Sequence, residues 1–236
     1  MTKPHYQIAI QECGEPLVPI PPDRVRLLHP HPYQQLGAPY GNKSPFFLRQ
    51  RVCDRLLAAQ LELDHHHPGW RIQVFDAYRP IAVQQFMVNH ALQQLAQEQG
   101  IRLESADPLT LQSLLQKVYE FWAPPSSDPA MPPPHSTGGA IDVTLVQANG
   151  QPVEMGAPID EISPRSYPNH FANSQDPQEQ AFHQNRQLLR QVMLAAGFQQ
   201  HPNEWWHFCW GDQMWAWLNQ QQGGTPPPVA SYGCVA

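Results

Sequence analysis

The sequence is short of charge, and of the long apolar runs that mark membrane spans. Asp, Glu, Lys and Arg together make up 14% of its 236 residues, and they leave a formal net charge of −6. That balance offers no basic footprint for nucleic acid. No apolar stretch approaches the roughly 18 residues that mark a membrane-spanning helix, so no membrane partner is expected. The opening residues Met1 to Tyr6 have no apolar core behind Lys3 and do not read as an export signal. The expected compartment is therefore the cytoplasm. The four cysteines, Cys13, Cys53, Cys209 and Cys234, form no C-x-x-C pair, and their wide spacing favours free thiols. Internal repeats are missing as well.

What is present is a 41% hydrophobic fraction, enough at this length for one sizeable core. Proline is abundant, with 27 residues, and it is clustered. Residues 1–44, with Pro16, Pro19, Pro21, Pro22, Pro30, Pro32 and Pro39, read as a Pro-rich arm packed on a single domain of residues 45–222. Residues 223–236, with Pro226, Pro227 and Pro228, read as a flexible tail.

Four helices are expected. Ser44-Pro45 looks like an N-cap and first-turn proline ahead of Phe47, Leu48, Val52, Leu56 and Leu57. A second helix begins at Pro80 and ends near Gly100, and a third follows Asp107-Pro108. The fourth has Asp176 as cap, Pro177 in its first turn and Glu179 at the capping-box position, and stops at Gly197. Strands are expected at Trp70 to Phe75, Ala140 to Val146 and Trp205 to Trp210. The elements interleave without a βαβ repeat, which predicts an α+β fold with a small, largely antiparallel sheet flanked by helices.

The chemistry-bearing residues fall near those strands. His135 and Asp142 flank Gly138-Gly139, and a tight reversal there lets both side chains converge on one point. His207 lies inside a run of tryptophans, where a neutral imidazole needs partners and a metal ion supplies one. Glu204 precedes the strand in a turn and could lean over that point. Two imidazoles and a carboxylate, with a spare carboxylate nearby, suit a catalytic zinc site that keeps one position open. Arg79, between a strand and a helix, could stabilise an oxyanion. Each residue also has a plainer reading: a polar loop for His135 and Asp142, a hydrogen-bonded core histidine for His207, an exposed turn for Glu204 and an ion pair with Asp76 for Arg79. His65, His66 and His67, ahead of Pro68-Gly69, read as a solvated loop, and Cys209 as a buried apolar residue.

Taken together, Asp76-Ala77-Tyr78-Arg79-Pro80, His135-x-x-Gly138-Gly139-Ala140-x-Asp142 and Glu204-Trp205-Trp206-His207 resemble the zinc-dependent D-alanyl-D-alanine dipeptidases. That group includes the vancomycin-resistance dipeptidases and is related to D,D-carboxypeptidases and the hedgehog amino-terminal domain. The segment from Met155 through Asp160 to Phe171 resembles the family's loop between ligand pairs. The resemblance implies one zinc ion per chain, at the sheet, held by His135, Asp142 and His207. It implies Glu204 as general base and proton donor, and Arg79 as the group that polarises the substrate carbonyl. Trp205 would line the pocket for an alanine methyl, and the substrate would be the small molecule D-alanyl-D-alanine. One departure is visible: Pro133 stands where the family usually has serine. A D,D-carboxypeptidase and a catalytically silent zinc-binding module are the alternatives.

Overall fold

The computed structural model describes residues 3–223 and 229–235. Chain order gives β1 (Leu17–Pro19), β2 (Arg26–Leu27), α1 (Pro32–Gln35), β3 (Phe47–Arg49), α2 (Gln50–His66), β4 (Arg71–Asp76) and α3 (Ile81–Glu98). There follow α4 (Pro108–Phe121), β5 (Ala140–Val146), α5 (Pro177–Ala195), β6 (Gln199–Gln200), β7 (His207–Cys209) and α6 (Gln213–Gln221). Five strands form one sheet in the order β2-β4-β5-β7-β6, in which β2 runs parallel to β4 and every other pair is antiparallel. A separate antiparallel ribbon joins β1 to β3. The α+β expectation with a largely antiparallel sheet therefore holds.

Side-chain alternation along β5 divides the layers. Ile141, Val143 and Leu145 point into a core shared with Val52, Leu56 and Leu63 of α2 and Leu189, Val192 and Met193 of α5. Ala140 and Cys209 turn the other way and pack against Met214 of α6. A further cluster joins α3 to α4 through Val83, Met87, Leu114 and Val118, with Tyr33, Tyr40 and Trp122 packed among them.

The helix ends follow local chemistry. The Asp107 carboxylate accepts from Leu109 N and Thr110 N at 3.0 and 3.1 Å, and Asp176 does the same for Gln178 N and Glu179 N at 2.8 and 3.1 Å. At the first expected helix the structure differs. Helix α2 begins at Gln50 rather than Pro45, and Phe47–Arg49 is strand. Ser44 Oγ accepts from Phe46 N, closing a turn instead of capping a helix. An N-cap contributes about 1 kcal/mol, whereas Leu48 is fully buried in the ribbon, and such burial contributes roughly 1.5–3 kcal/mol. Tertiary pairing wins. His65 and His66 complete the last turn of α2 with exposed rings near Glu62, instead of forming a loop.

Residues 1–44 are woven in more deeply than an arm laid on a surface. They supply β1, β2 and α1, and Pro4–Gln7 forms a 3-10 turn followed by Ile8, which packs on Ala216 of α6. The expected flexible tail divides in two: Pro226, Pro227 and Pro228 lie outside the described residues, while residues 229–235 are docked. Ile10 bridges Ala230, Gln11 N donates to Ala230 O at 2.8 Å, and Cys13 N donates to Ser231 O at 3.0 Å. Tyr232 is fully buried, and its hydroxyl donates to Glu15 Oε2 at 2.6 Å. The two end segments thus clasp one another. Among the described residues no helix is long and apolar enough to cross a membrane.

Candidate active site

Three strands of the sheet deliver one side chain each to a single row. Asp142 on β5 pairs with Asp76 on β4 and with His207 on β7, and directly opposed residues share a face. A register shift between Val74 and Asp76 brings Asp76 into that row. His135 enters from a 3-10 turn, Pro134–Thr137, closed by Gly138 in the left-handed region at φ 71°. A Cβ on Gly138 would collide with Leu17 Cδ2, and one on Gly139 would lie 2.9 Å from Trp210 O. Both glycines are therefore dictated by space as well as by the turn.

The three candidate metal-binding groups converge. His135 Nε2 lies 3.3 Å from Asp142 Oδ2 and 3.1 Å from His207 Nδ1, and His207 Nδ1 lies 3.0 Å from Asp142 Oδ1. The three groups are buried, and their ligating atoms all lie within 4.8 Å of one another. His135 Nδ1 is 2.7 Å from the carbonyl oxygen of Ala77. A carbonyl only accepts, so Nδ1 carries the proton and a neutral ring turns the Nε2 lone pair toward Asp142 and His207. Lone pairs and a carboxylate facing one point call for a positive charge between them, and the donor set fits a divalent ion. Burial pushes the Asp142 carboxyl up, but the adjoining His135 and His207 outweigh it and hold it well below the usual carboxylate range. His207 Nε2 is buried without a hydrogen-bond partner.

Glu204 sits in the turn that enters β7, as its spacing from His207 predicts. Its Oε2 lies 3.7 Å from His207 Nδ1 and its Oε1 3.6 Å from His201 Nδ1. Burial, reinforced by the negative charge of Asp142, drives its carboxyl well above the ordinary range against the opposing charge of Lys3. Arg79 follows β4 and is fixed on all sides. Four of the guanidinium's five N–H groups donate to Asp76 Oδ2, Gln84 Oε1, Tyr33 OH and Asp142 Oδ2, at 2.9, 2.9, 3.3 and 3.3 Å. Its backbone N–H donates to His135 O at 3.2 Å, tying the cation to the first ligand's turn. Burial raises the Asp76 carboxyl, but Arg79 and the bond with His31 overcome this and hold it low.

The pocket is lined by His135, Asp142, His207, Glu204, Arg79 and Asp160, among others. Asp160 is an addition that its sequence did not announce. It accepts from Tyr33 OH at 2.8 Å, has φ 70°, and is pushed up to about 7 by burial and by the charge of Asp142. Trp205, expected in the pocket, points elsewhere. It belongs to the main core, stacks near Arg186, and borders a separate depression with Thr144 and Met155. Its neighbour Trp206 lines the pocket instead. The strand at this point begins only at His207, so simple alternation could not assign the two tryptophans. Cys209 lies buried on the sheet, its Sγ 3.7 Å from Gln199 O, outside the ligand cluster.

Such a constellation can hold a divalent ion and move a proton beside it, which is the equipment of a metallohydrolase. Residues 26–223 match the peptidase M15 family, described as D-ala-D-ala dipeptidase, and the chain belongs to that family. It is 47% identical over 239 residues to a D-alanyl-D-alanine dipeptidase of Synechocystis sp., across 99% of this chain and 97% of the relative. A D-alanyl-D-alanine dipeptidase of Enterococcus faecium is 34% identical over 148 residues, covering 61% of this chain and 64% of the relative. Among solved structures, the LdcB LD-carboxypeptidase aligns over 91% of this chain and 76% of its own, with a TM-score of 0.45 and 14% identity.

Proposed function

We propose that this protein is a cytoplasmic, zinc-dependent dipeptidase that hydrolyses D-alanyl-D-alanine to two molecules of D-alanine. The observation that carries the reading is Glu204, a buried carboxylate outside the ligand triad that shares its pocket with Arg79. A structural metal site needs neither group. Family membership and the names of the relatives supply the substrate.

His135, Asp142 and His207 would hold the zinc ion through two imidazoles and one carboxylate. Bound there, zinc supplies a Lewis acid for the peptide carbonyl and lowers the pKa of a water toward about 7. Glu204 accepts a proton from the attacking water and passes it to the amine that leaves as the C–N bond breaks. Among the described residues one guanidinium N–H of Arg79, on Nη1, has no protein acceptor, and it would serve the carbonyl oxygen as charge develops on it. Asp160, a pocket carboxylate with no ion pair among the described residues, receives the ammonium of the free dipeptide. Trp206 packs on the apolar part of the substrate.

The test is release of D-alanine from D-alanyl-D-alanine by the zinc-loaded protein, with and without chelator. L-alanyl-L-alanine and a pentapeptide ending in D-alanyl-D-alanine run beside it. Chelator-sensitive cleavage of the free D,D-dipeptide alone is the expected result. Cleavage of the pentapeptide instead would make the protein a carboxypeptidase, and no cleavage with zinc bound would make it a binding module.

A further inference from the structure

In the reading above, the triad, Glu204, Arg79 and Asp160 account for the reacting bond and the ammonium of a dipeptide. They leave its α-carboxylate without a partner. A free D-alanyl-D-alanine carries both charges, and burying a carboxylate unpaired is costly. The other cation on the pocket wall is Lys3. Its Nζ donates to the carbonyl oxygen of Trp122 at 3.4 Å, which uses one of an ammonium's three donors. Among the described residues no carboxylate comes within ion-pair range of it.

Position is compatible with the same role. Asp160 is held by Tyr33 OH at 2.8 Å, and Lys3 by the carbonyl of Trp122. Lys3 and Asp160 both line the one pocket, and their charges have the signs of a zwitterion's two ends. Lys3 is also anchored. The next residues form the Pro4–Gln7 turn, His5 is buried, and Gln213 Nε2 donates to Ile8 O at 2.7 Å. Residues 9–13 are then fastened by the clasp with residues 230–231.

We propose that Lys3 binds the α-carboxylate of the substrate, so that the N-terminal segment forms part of the pocket wall and favours a free C-terminus. This rests on the dipeptidase reading. Asp160 sets the limit at the amino end and Lys3 at the carboxyl end, and together they would confine cleavage to a dipeptide.

The experiment compares D-alanyl-D-alanine with D-alanyl-D-alaninamide on zinc-loaded wild-type, Lys3→Met and Lys3→Arg proteins. A charged hydrogen bond of this kind corresponds to about 10- to 100-fold in kcat/KM. Wild type should prefer the acid by that factor. Lys3→Met should lose most of that preference, with a larger fall on the acid, mainly through KM, than on the amide, where any fall reports the lost charge beside Glu204. Lys3→Arg should restore part of the preference. Equal losses on acid and amide, or no loss on either, would overturn the role of Lys3. If wild type cleaves neither compound, the dipeptidase reading falls and takes this role with it.

Discussion

Buried Glu204 and half-buried Asp160 are carboxylates in one pocket, in different surroundings. Glu204 lies beside His207, whereas Asp160 lies against Tyr33. Replacing Glu204 with alanine should leave metal content unchanged and lower hydrolysis by about 10²- to 10⁴-fold, the usual contribution of general acid–base catalysis. Metal analysis beside the rate checks this, and loss of the ion with the rate would make Glu204 a ligand. Asp160 gives a prediction about pH. Its folded-state value of about 7 lies above the unfolded value, which is near 3.9 for a model aspartate. The folded chain therefore holds this proton more tightly. The stabilisation is complete below about pH 4 and is lost as pH rises through about 7. In metal-free protein, Asp160→Asn should raise Tm more at pH 8 than at pH 4. A shift of equal size at both values would contradict it.

The turns and strands that carry the ligands make their own predictions. Gly138→Ala places a side chain at positive φ, which costs about 1–2 kcal/mol, and drives its Cβ into Leu17. Urea unfolding should show a loss of at least that size, and a neutral result would mean that the turn has another conformation. Elements with local signals were legible in the sequence. Capped helices α4 and α5 start where Asp107 and Asp176 place them, and β5 spans the expected Ala140–Val146. The convergence of His135, Asp142 and His207 was also legible, because a glycine turn and two short strands encode it locally. Elements defined by distant partners were not. Strands β1 and β2 have two or three residues each, and their partners, such as Arg49 for Leu17 and Gln73 for Arg26, lie far along the chain. Helix α6, capped by Asp212, whose carboxylate accepts from Trp215 N at 2.8 Å, was not among the expected helices. Lys3, Asp160 and Trp206 join the site only through tertiary packing.

Across the whole molecule, the clasp joins the two end segments and connects distant sequence to the pocket. Removing residues 229–236 should free residues 9–13 and loosen the turn that holds Lys3. The expected outcome is a higher KM for D-alanyl-D-alanine with metal content retained, and faster hydrogen exchange at the amides of Gln11 and Cys13. Unchanged exchange at both would show that the N-terminal segment is held without its partner. The cross-strand row of Asp76, Asp142 and His207 has a different consequence. Side chains alternate with a period of two, so a slip of one residue between β5 and β7 turns a ligand to the far face. The ligand cluster is in that sense a parity check on the sheet, complete only when the strands are paired in step. An ion that binds it favours the in-step sheet by mass action, by about 2.7 kcal/mol at a hundred times its Kd. The metal would then take part in proofreading the fold as well as in the chemistry.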